Sequence, residues 1–183
     1  LPIITSSISD LNNIELKPFK SAIKNNVKMI MMAHIAMPAL DSSKKPASHS
    51  YKITTDLLIN DWNFKGLIIT DGMGMKGITN QAWSGEAAIR AIEAGSDFIL
   101  LPIDVERTIE SIYNAVISGR IDEERINLSV SKILDSKREL NLFNDQLNFE
   151  SMSSIVGSRD HLTIAAQIAS SSITLVKDDK NQI

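Results

Sequence analysis

The sequence contains no cysteine. That removes disulfides, thiolate metal sites and a thiol nucleophile together, and leaves the redox compartment open. It also lacks any apolar run near the roughly 18 residues that a membrane span needs; the longest lies around residues 29–33. Charge of one sign is not in excess. The net charge is −3 and the pI about 5.6, so no basic face is forced and nucleic acid is a poor choice of partner. What remains is ordinary globular composition, 43% hydrophobic and 22% charged. The 183 residues suffice for one domain or parts of two. The chain opens on Leu1 without a charged leading segment, which suggests a fragment or a processed product and leaves a signal peptide and the compartment unread.

Three short, nearly continuous apolar runs stand out: VKMIMMA (27–33), GLIIT (66–70) and DFILL (97–101). Such runs suit strands buried on both faces of a parallel sheet. Helical patterns fill the gaps. The spacing predicts a helix over about 14–24 and another in ITTDLLINDW, with Ile53, Leu57, Leu58 and Trp62 on its apolar side. A third follows Ser84, the expected N-cap, with Glu86 in its first turn and Gly95 as its stop. A fourth is capped by Asp104, carries a stripe at Val105, Ile109, Ile112 and Val116, and ends at Gly119. A fifth follows Asp122. Glu123 and Glu124 stand at its positive end, Lys137 and Arg138 near its negative end, and Ile126, Val130, Ile133 and Leu134 form its stripe.

Strand–helix alternation at roughly 30–40 residues reads as βαβ units around a parallel sheet. Three strands do not close a (β/α)8 barrel of about 250 residues. The fold class is therefore α/β, either a small open sheet or the last part of a larger barrel. From about residue 141 to 157 the periodicity fades into a linker. Beyond it, SRDHLTIAAQIASSS restarts as a helix capped by Ser158, SITLV follows as a β-branched strand, and the chain stops in KDDKNQI, which suggests a second domain cut off at its beginning.

The stretch GLIITDGMGMKGITN (66–80) contains a literal G-x-G-x-x-G after a strand. A dinucleotide turn needs a helix starting at the glycines and an acid about 20 residues on. Here the helical pattern resumes only near Ser84. Asp97 falls at the start of the next strand, Asp104 is later still, and Asp71 just before the first glycine would repel a pyrophosphate. The alternative makes Asp71 the subject. Parallel strands bring His34, Asp71 and Asp104 to one carboxyl edge, where α/β folds bind ligands. Each also has a plainer reading: Asp104 as a helix cap, His34 as a structural histidine, and Asp71 as a turn residue with glycines at positive φ. Met31, Met32 and Met37 read as core or pocket lining.

GLIITDGMGMKGI resembles the nucleophile segment of glycoside hydrolase family 3, in its β-N-acetylhexosaminidase branch: a strand, then Thr-Asp, then Met-Lys-Gly. The β-glucosidase branch usually has an aromatic residue where Gly72 stands. LKPFKSAIKNNVKMIMMAHIAMPALD, PASHSYKITTDLLINDWNFKG and AAQIASSSITLVKD resemble, in turn, the family's helix and strand, its next helix, and the opening of the α/β sandwich domain that many members carry.

The resemblance implies the C-terminal portion of a (β/α)8 TIM-type barrel over residues 1–140, a linker over 141–157, and the first helix and strand of a second α/β domain over 158–183. It implies a retaining exo-glycosidase acting on terminal β-linked N-acetylglucosamine, as in peptidoglycan turnover products, with no cofactor and no metal. Asp71 would be the nucleophile forming the covalent glycosyl-enzyme. His34 and Met75, with Met73, would line the sugar pocket, and the glycines would let backbone approach the sugar.

The branch's acid/base histidine sits in a loop reading roughly Lys-His-Phe-Pro-Gly-His-Gly followed by Asp-x-His. None of His34, His49 and His161 has that context. Leu1-Pro2 resembles the residues after the loop, so the acid/base is expected upstream and these residues alone are expected to be inactive and prone to associate through open strand edges. A non-catalytic carbohydrate-binding or structural module, and a β-glucosidase of the same family, stand as alternatives.

Overall fold

The computed structural model describes residues 1–80, 82–144, 152 and 154–177. The chain divides into two compact units, Leu1–Leu140 and Asn141–Ile183.

In the first unit, β1 (Met29–Met32) and β2 (Leu67–Thr70) pair in parallel, with Met29 opposite Leu67 and Met32 opposite Thr70. The run DFILL lies parallel to the far edge of β2, yet it does not complete a strand. Phe98 N–H donates to Ile68 O and Thr70 N–H to Phe98 O, a single bridge centred on Ile69 and Phe98. The Thr70 hydroxyl then accepts from Leu100 N–H at 3.0 Å, replacing the next rung by a side chain. Leu101, at φ 47°, bends the chain away. The expectation of strands buried on both faces holds for the centre of β2, where Ile68 is fully buried, but not for β1. There Ile30 and Met32 face the core while Met29 and Met31 are exposed, because no second layer covers that face among the described residues.

The covered face packs on helices. Ile30, Met32, Ala47, Ile53, Leu58, Phe64 and Ile68 form the main core cluster, with Ile53 and Leu58 supplied by a π-helix, Lys52–Asp61. The helix expected over 14–24 is α2 (Lys17–Lys24), and a separate short helix that was not expected, α1 (Ile8–Asn13), precedes it. Pro18 has no N–H to donate, so it opens a helix rather than continuing one. A single turn, α3 (Lys76–Thr79), starts two residues after Gly74 and contains the third glycine, Gly77, where the sequence showed no helical pattern. In α4 (Ser84–Ala94), Ser84 is the first helical residue and not the cap, because its hydroxyl pairs with Thr108 Oγ1 at 3.0 Å instead of bonding its own helix.

Gly95 ends α4 at φ +120°, and a Cβ there would sit 2.6 Å from Thr55 Oγ1, so glycine is required twice over. Asp104 caps α5 (Val105–Ile117) by accepting from Arg107 N–H, and Asp122 caps α6 (Glu123–Glu139) by accepting from Glu124 N–H. The apolar stripe of α5 is only half covered. Ile112 and Val116 pack on Ile89, Ile92, Ala115 and Ile121, while Val105 and Ile109 face outward. On α6, Val130 is likewise exposed.

Two polar networks brace the helices. The Asp97 carboxylate, with no exposed surface, accepts from Ile68 N–H (3.1 Å), Ser129 Oγ (2.6 Å), Lys132 Nζ (3.2 Å) and Arg125 Nη1 (3.4 Å), tying α6 to β2. Arg120 bridges Glu86 and Glu93 across α4, and its guanidinium holds the Glu86 carboxyl down to about 2.

In the second unit, α7 (Arg159–Ser172) is capped by Ser158, whose hydroxyl accepts from His161 N–H. The strand expected in SITLV does not form. The helix runs on through Ser172, and the extended backbone after it finds no pairing edge among the described residues. The expected linker falls partly outside the described residues, as does the chain's end over 178–183.

Candidate active site

Because β1 and β2 run parallel, the chain leaves both at one edge. Two residues beyond β1 is His34; the first residue beyond β2 is Asp71. Asp71 N–H donates to Met32 O at 3.0 Å, which extends the register by one rung and fixes the backbone below the carboxylate. The Asp71 side chain is half-buried, and its Oδ1 accepts from Gly72 N–H at 2.7 Å, which restricts its rotation. Met73 N–H bonds Leu100 O and Met75 N–H bonds Gly72 O, so the turn is held through the N–H groups of residues 71, 72, 73 and 75. The glycines of this turn do not take positive φ, unlike Gly95, Gly119 and Gly157. A Cβ at Gly72 or Gly74 would meet only ordinary van der Waals contacts, so neither is required by strain.

His34 is buried beneath this turn, with Nδ1 2.7 Å from Ser48 Oγ. Burial lowers its pKa below the ordinary histidine value, against the pull of the Asp71 carboxylate and the backbone of Gly72 and Asp71. The ring of His49 lies 6.4 Å away, tilted by 56°. Burial pushes His49 down to about 4, helped by the positive charge that His34 would carry and by Arg90. Both imidazoles keep a buried Nε2 without a hydrogen-bond partner.

The loop that carries Ser48 and His49 is itself pinned. Asp41 accepts from Ser50 Oγ at 2.6 Å and from Ser43 N–H at 2.9 Å, and Thr54 Oγ1 donates to Ala47 O. Burial opposes ionisation of Asp41, but those hydrogen bonds outweigh it and leave the carboxyl below its usual value.

Of the residues singled out from sequence, His34 and Asp71 come together. Met75 lies at the rim, 49% exposed. Met73 does not: it is 2% exposed and packs with Ile78 and Ala87 in the core. Asp104 spends its carboxylate on its own helix. Ser48, His49 and Asp41 were missed. The only signal was PASHS itself, two hydroxyls flanking an imidazole; its burial is not a local property. Asp71 does not line the four cavities bounded by Lys132 and Asp135, by Met31 and Leu57, by His49 and Arg120, and by Thr55 and Arg125. No three histidine, aspartate or glutamate side chains among the described residues could hold a metal, and no helix there is long and apolar enough to cross a membrane.

Residues 1–136 match the model of the glycosyl hydrolase family 3 N-terminal domain. Beta-hexosaminidase A of Pseudoalteromonas piscicida is 30% identical, over 98% of this chain and 33% of its own length. A beta-N-acetylglucosaminidase/beta-glucosidase of Cellulomonas fimi is 28% identical, over 88% of this chain and 30% of its own. Among solved structures, a family 3 beta-N-acetylglucosaminidase from Paenibacillus sp. FPU-7 superposes with a TM-score of 0.78 at 33% identity, covering 81% of this chain and 29% of that one. The beta-glucoside phosphorylase BglX superposes over the whole chain with a TM-score of 0.90 at 25% identity, covering 35% of that chain. The chain thus spans about one third of the length of these relatives.

Proposed function

Given that the chain belongs to glycosyl hydrolase family 3, whose N-terminal domain has a TIM-barrel-like α/β fold, we propose that it carries the nucleophile portion of a retaining exo-β-N-acetylglucosaminidase. Asp71 is the nucleophile. The observation that carries this reading is the Asp71 carboxylate itself: half-buried at the carboxyl edge of a parallel strand, beside a buried imidazole, with its backbone fixed and its carboxylate braced by a single N–H. A retaining glycosidase needs a carboxylate to attack the anomeric carbon, expel the leaving group and later release the sugar to water. Met75 at the rim offers an apolar surface to a sugar face, and His34 forms the floor of the site. The general acid/base comes from residues outside this stretch. Residues 158–183 then open a second α/β domain.

The test is Asp71→Ala in the full-length enzyme, assayed on an aryl N-acetyl-β-glucosaminide. Turnover falls by 10³-fold or more, because the covalent path is lost. A mechanism-based fluorosugar labels Asp71 and no other residue. Turnover within tenfold of the parent, or a label elsewhere, refutes the assignment.

Some relatives favour a second substrate reading, since the Cellulomonas fimi protein is named for both activities and a Dictyostelium discoideum relative is a lysosomal beta glucosidase. Comparing kcat/KM for the aryl glucoside and the aryl N-acetylglucosaminide on one preparation decides between them.

A further inference from the structure

Ser48 has no exposed surface and its hydroxyl makes one hydrogen bond among the described residues, the 2.7 Å contact to His34 Nδ1. A hydroxyl can donate or accept there, and the two choices fix opposite tautomers of the imidazole. If Nδ1–H donated, the Ser48 proton would be stranded without an acceptor, and the Nε2 lone pair would be left buried without a donor among the described residues. The Asp71 carboxylate and the Asp71–Gly72 backbone are the groups that favour added positive charge on this ring. If Ser48 donates, its proton is satisfied and His34 carries its hydrogen on Nε2, which has no hydrogen-bond partner among the described residues. The first arrangement leaves the Ser48 proton and Nε2 both unpaired and the second leaves only Nε2 unpaired, so the second is favoured.

We propose that Ser48 is a positioning residue for the reaction: its hydroxyl donates to His34 Nδ1, fixes the Nε2–H tautomer, and keeps the imidazole neutral beside Asp71. The proposal rests on the reading of Asp71 as the nucleophile. A second proton can enter His34 only at Nδ1, and to do so it must displace the Ser48 hydrogen bond. A cationic His34 would attract Asp71, and a carboxylate drawn into an ion pair is a poorer nucleophile for the anomeric carbon. Ser48 thereby holds off the acid form of the site.

The other charged groups act in the same sense or at longer range. His49, on the same loop as Ser48, lies 6.4 Å from the His34 ring, and Arg90 and Lys45 disfavour positive charge on His49. On His34, the Asp71 carboxylate is the charged group that favours it, together with the backbone of Gly72 and Asp71.

The experiment uses the full-length protein. Selective ¹⁵N-histidine labelling and two-bond ¹⁵N–¹H correlation spectra, with His34→Asn to identify the resonance, read the tautomer and titration of His34 directly. The expected result is an Nε2–H ring in the parent, and in Ser48→Ala a His34 titration moved up by about one pH unit, the size of one lost hydrogen bond to the neutral form. The acid limb of kcat/KM on the aryl N-acetylglucosaminide moves up by the same amount. An Nδ1–H ring in the parent overturns the proposal, as does a folded Ser48→Ala protein whose His34 titration does not move. If the fluorosugar fails to label Asp71, the nucleophile reading falls while the tautomer and titration still judge the Ser48–His34 couple.

Discussion

Replacing Asp97 by alanine tests whether α6 is fastened to the sheet by one buried carboxylate. Asp97 has no exposed side-chain surface, and four donors converge on it. The substitution strands them unequally. Ile68 N–H is fully buried in the centre of β2 and has no substitute acceptor, which costs about 1–3 kcal/mol. Ser129 Oγ still accepts from Arg125 Nη1, but its hydroxyl proton loses the Asp97 acceptor. Arg125 and Lys132 retain 23% and 25% of their side-chain exposure and can turn toward water, so their uncompensated charge costs well under the full penalty of a buried pair.

Together these give about 3–5 kcal/mol for Asp97→Ala. Asp97→Asn keeps an acceptor for Ile68 but points an amide at other donors, for about 2–3 kcal/mol. A domain of this size shifts its Tm by roughly 2–4 °C per kcal/mol, so the alanine variant should melt about 10 °C lower. Urea unfolding followed by circular dichroism reads the same loss as a lowered midpoint at constant slope. A loss below about 1 kcal/mol at unchanged slope would refute the claim that this carboxylate carries the junction.

Two other outcomes follow from the same structure. His49 is held near 4, below its unfolded value of 6.5, so the unfolded chain binds more protons between those pH values and stability falls as pH drops through that window, by up to about 3 kcal/mol. Urea midpoints taken from pH 7 to 4.5 should show this slope, and His49→Leu should flatten it without abolishing it, because His34 is shifted in the same direction. Gly95→Ala forces a Cβ into φ +120° and to within 2.6 Å of Thr55 Oγ1, and should cost about 2 kcal/mol by thermal melt; a neutral result would mean that α4 can end another way.

What the sequence disclosed was what local chemistry decides. Asp104 and Asp122 cap their helices as their positions announce, since an N-cap needs only its own next turn. The edge shared by His34 and Asp71 was legible because parallel strands must end together. Ser84 misled because its hydroxyl met Thr108, 24 residues away, and a distant partner outcompeted the local one. DFILL misled because the Thr70 side chain took the Leu100 N–H that a ladder would have used. The stripes of α5 and α6 marked the apolar faces correctly but carried no information about what covers them. Ser48 and His49 stayed hidden because they are buried by a loop whose shape depends on Asp41, Ser50 and Thr54 acting together.

The two aspartates along β2 show how one residue type divides between structure and chemistry. Asp97 reaches Ile68 in the strand's centre and is saturated: backbone, hydroxyl, ammonium and guanidinium fill its lone pairs, and it has nothing left to offer a ligand. Asp71 leaves the strand's end with one N–H from its own neighbour among the described residues and remains half exposed. A nucleophile needs unfilled lone pairs, a fixed backbone and a path to the reacting carbon. A structural carboxylate needs every lone pair filled. By that criterion the dinucleotide pattern around Gly72 is incidental, since the feature with spare bonding capacity is the carboxylate that precedes the glycines, and a phosphate would be turned away by it.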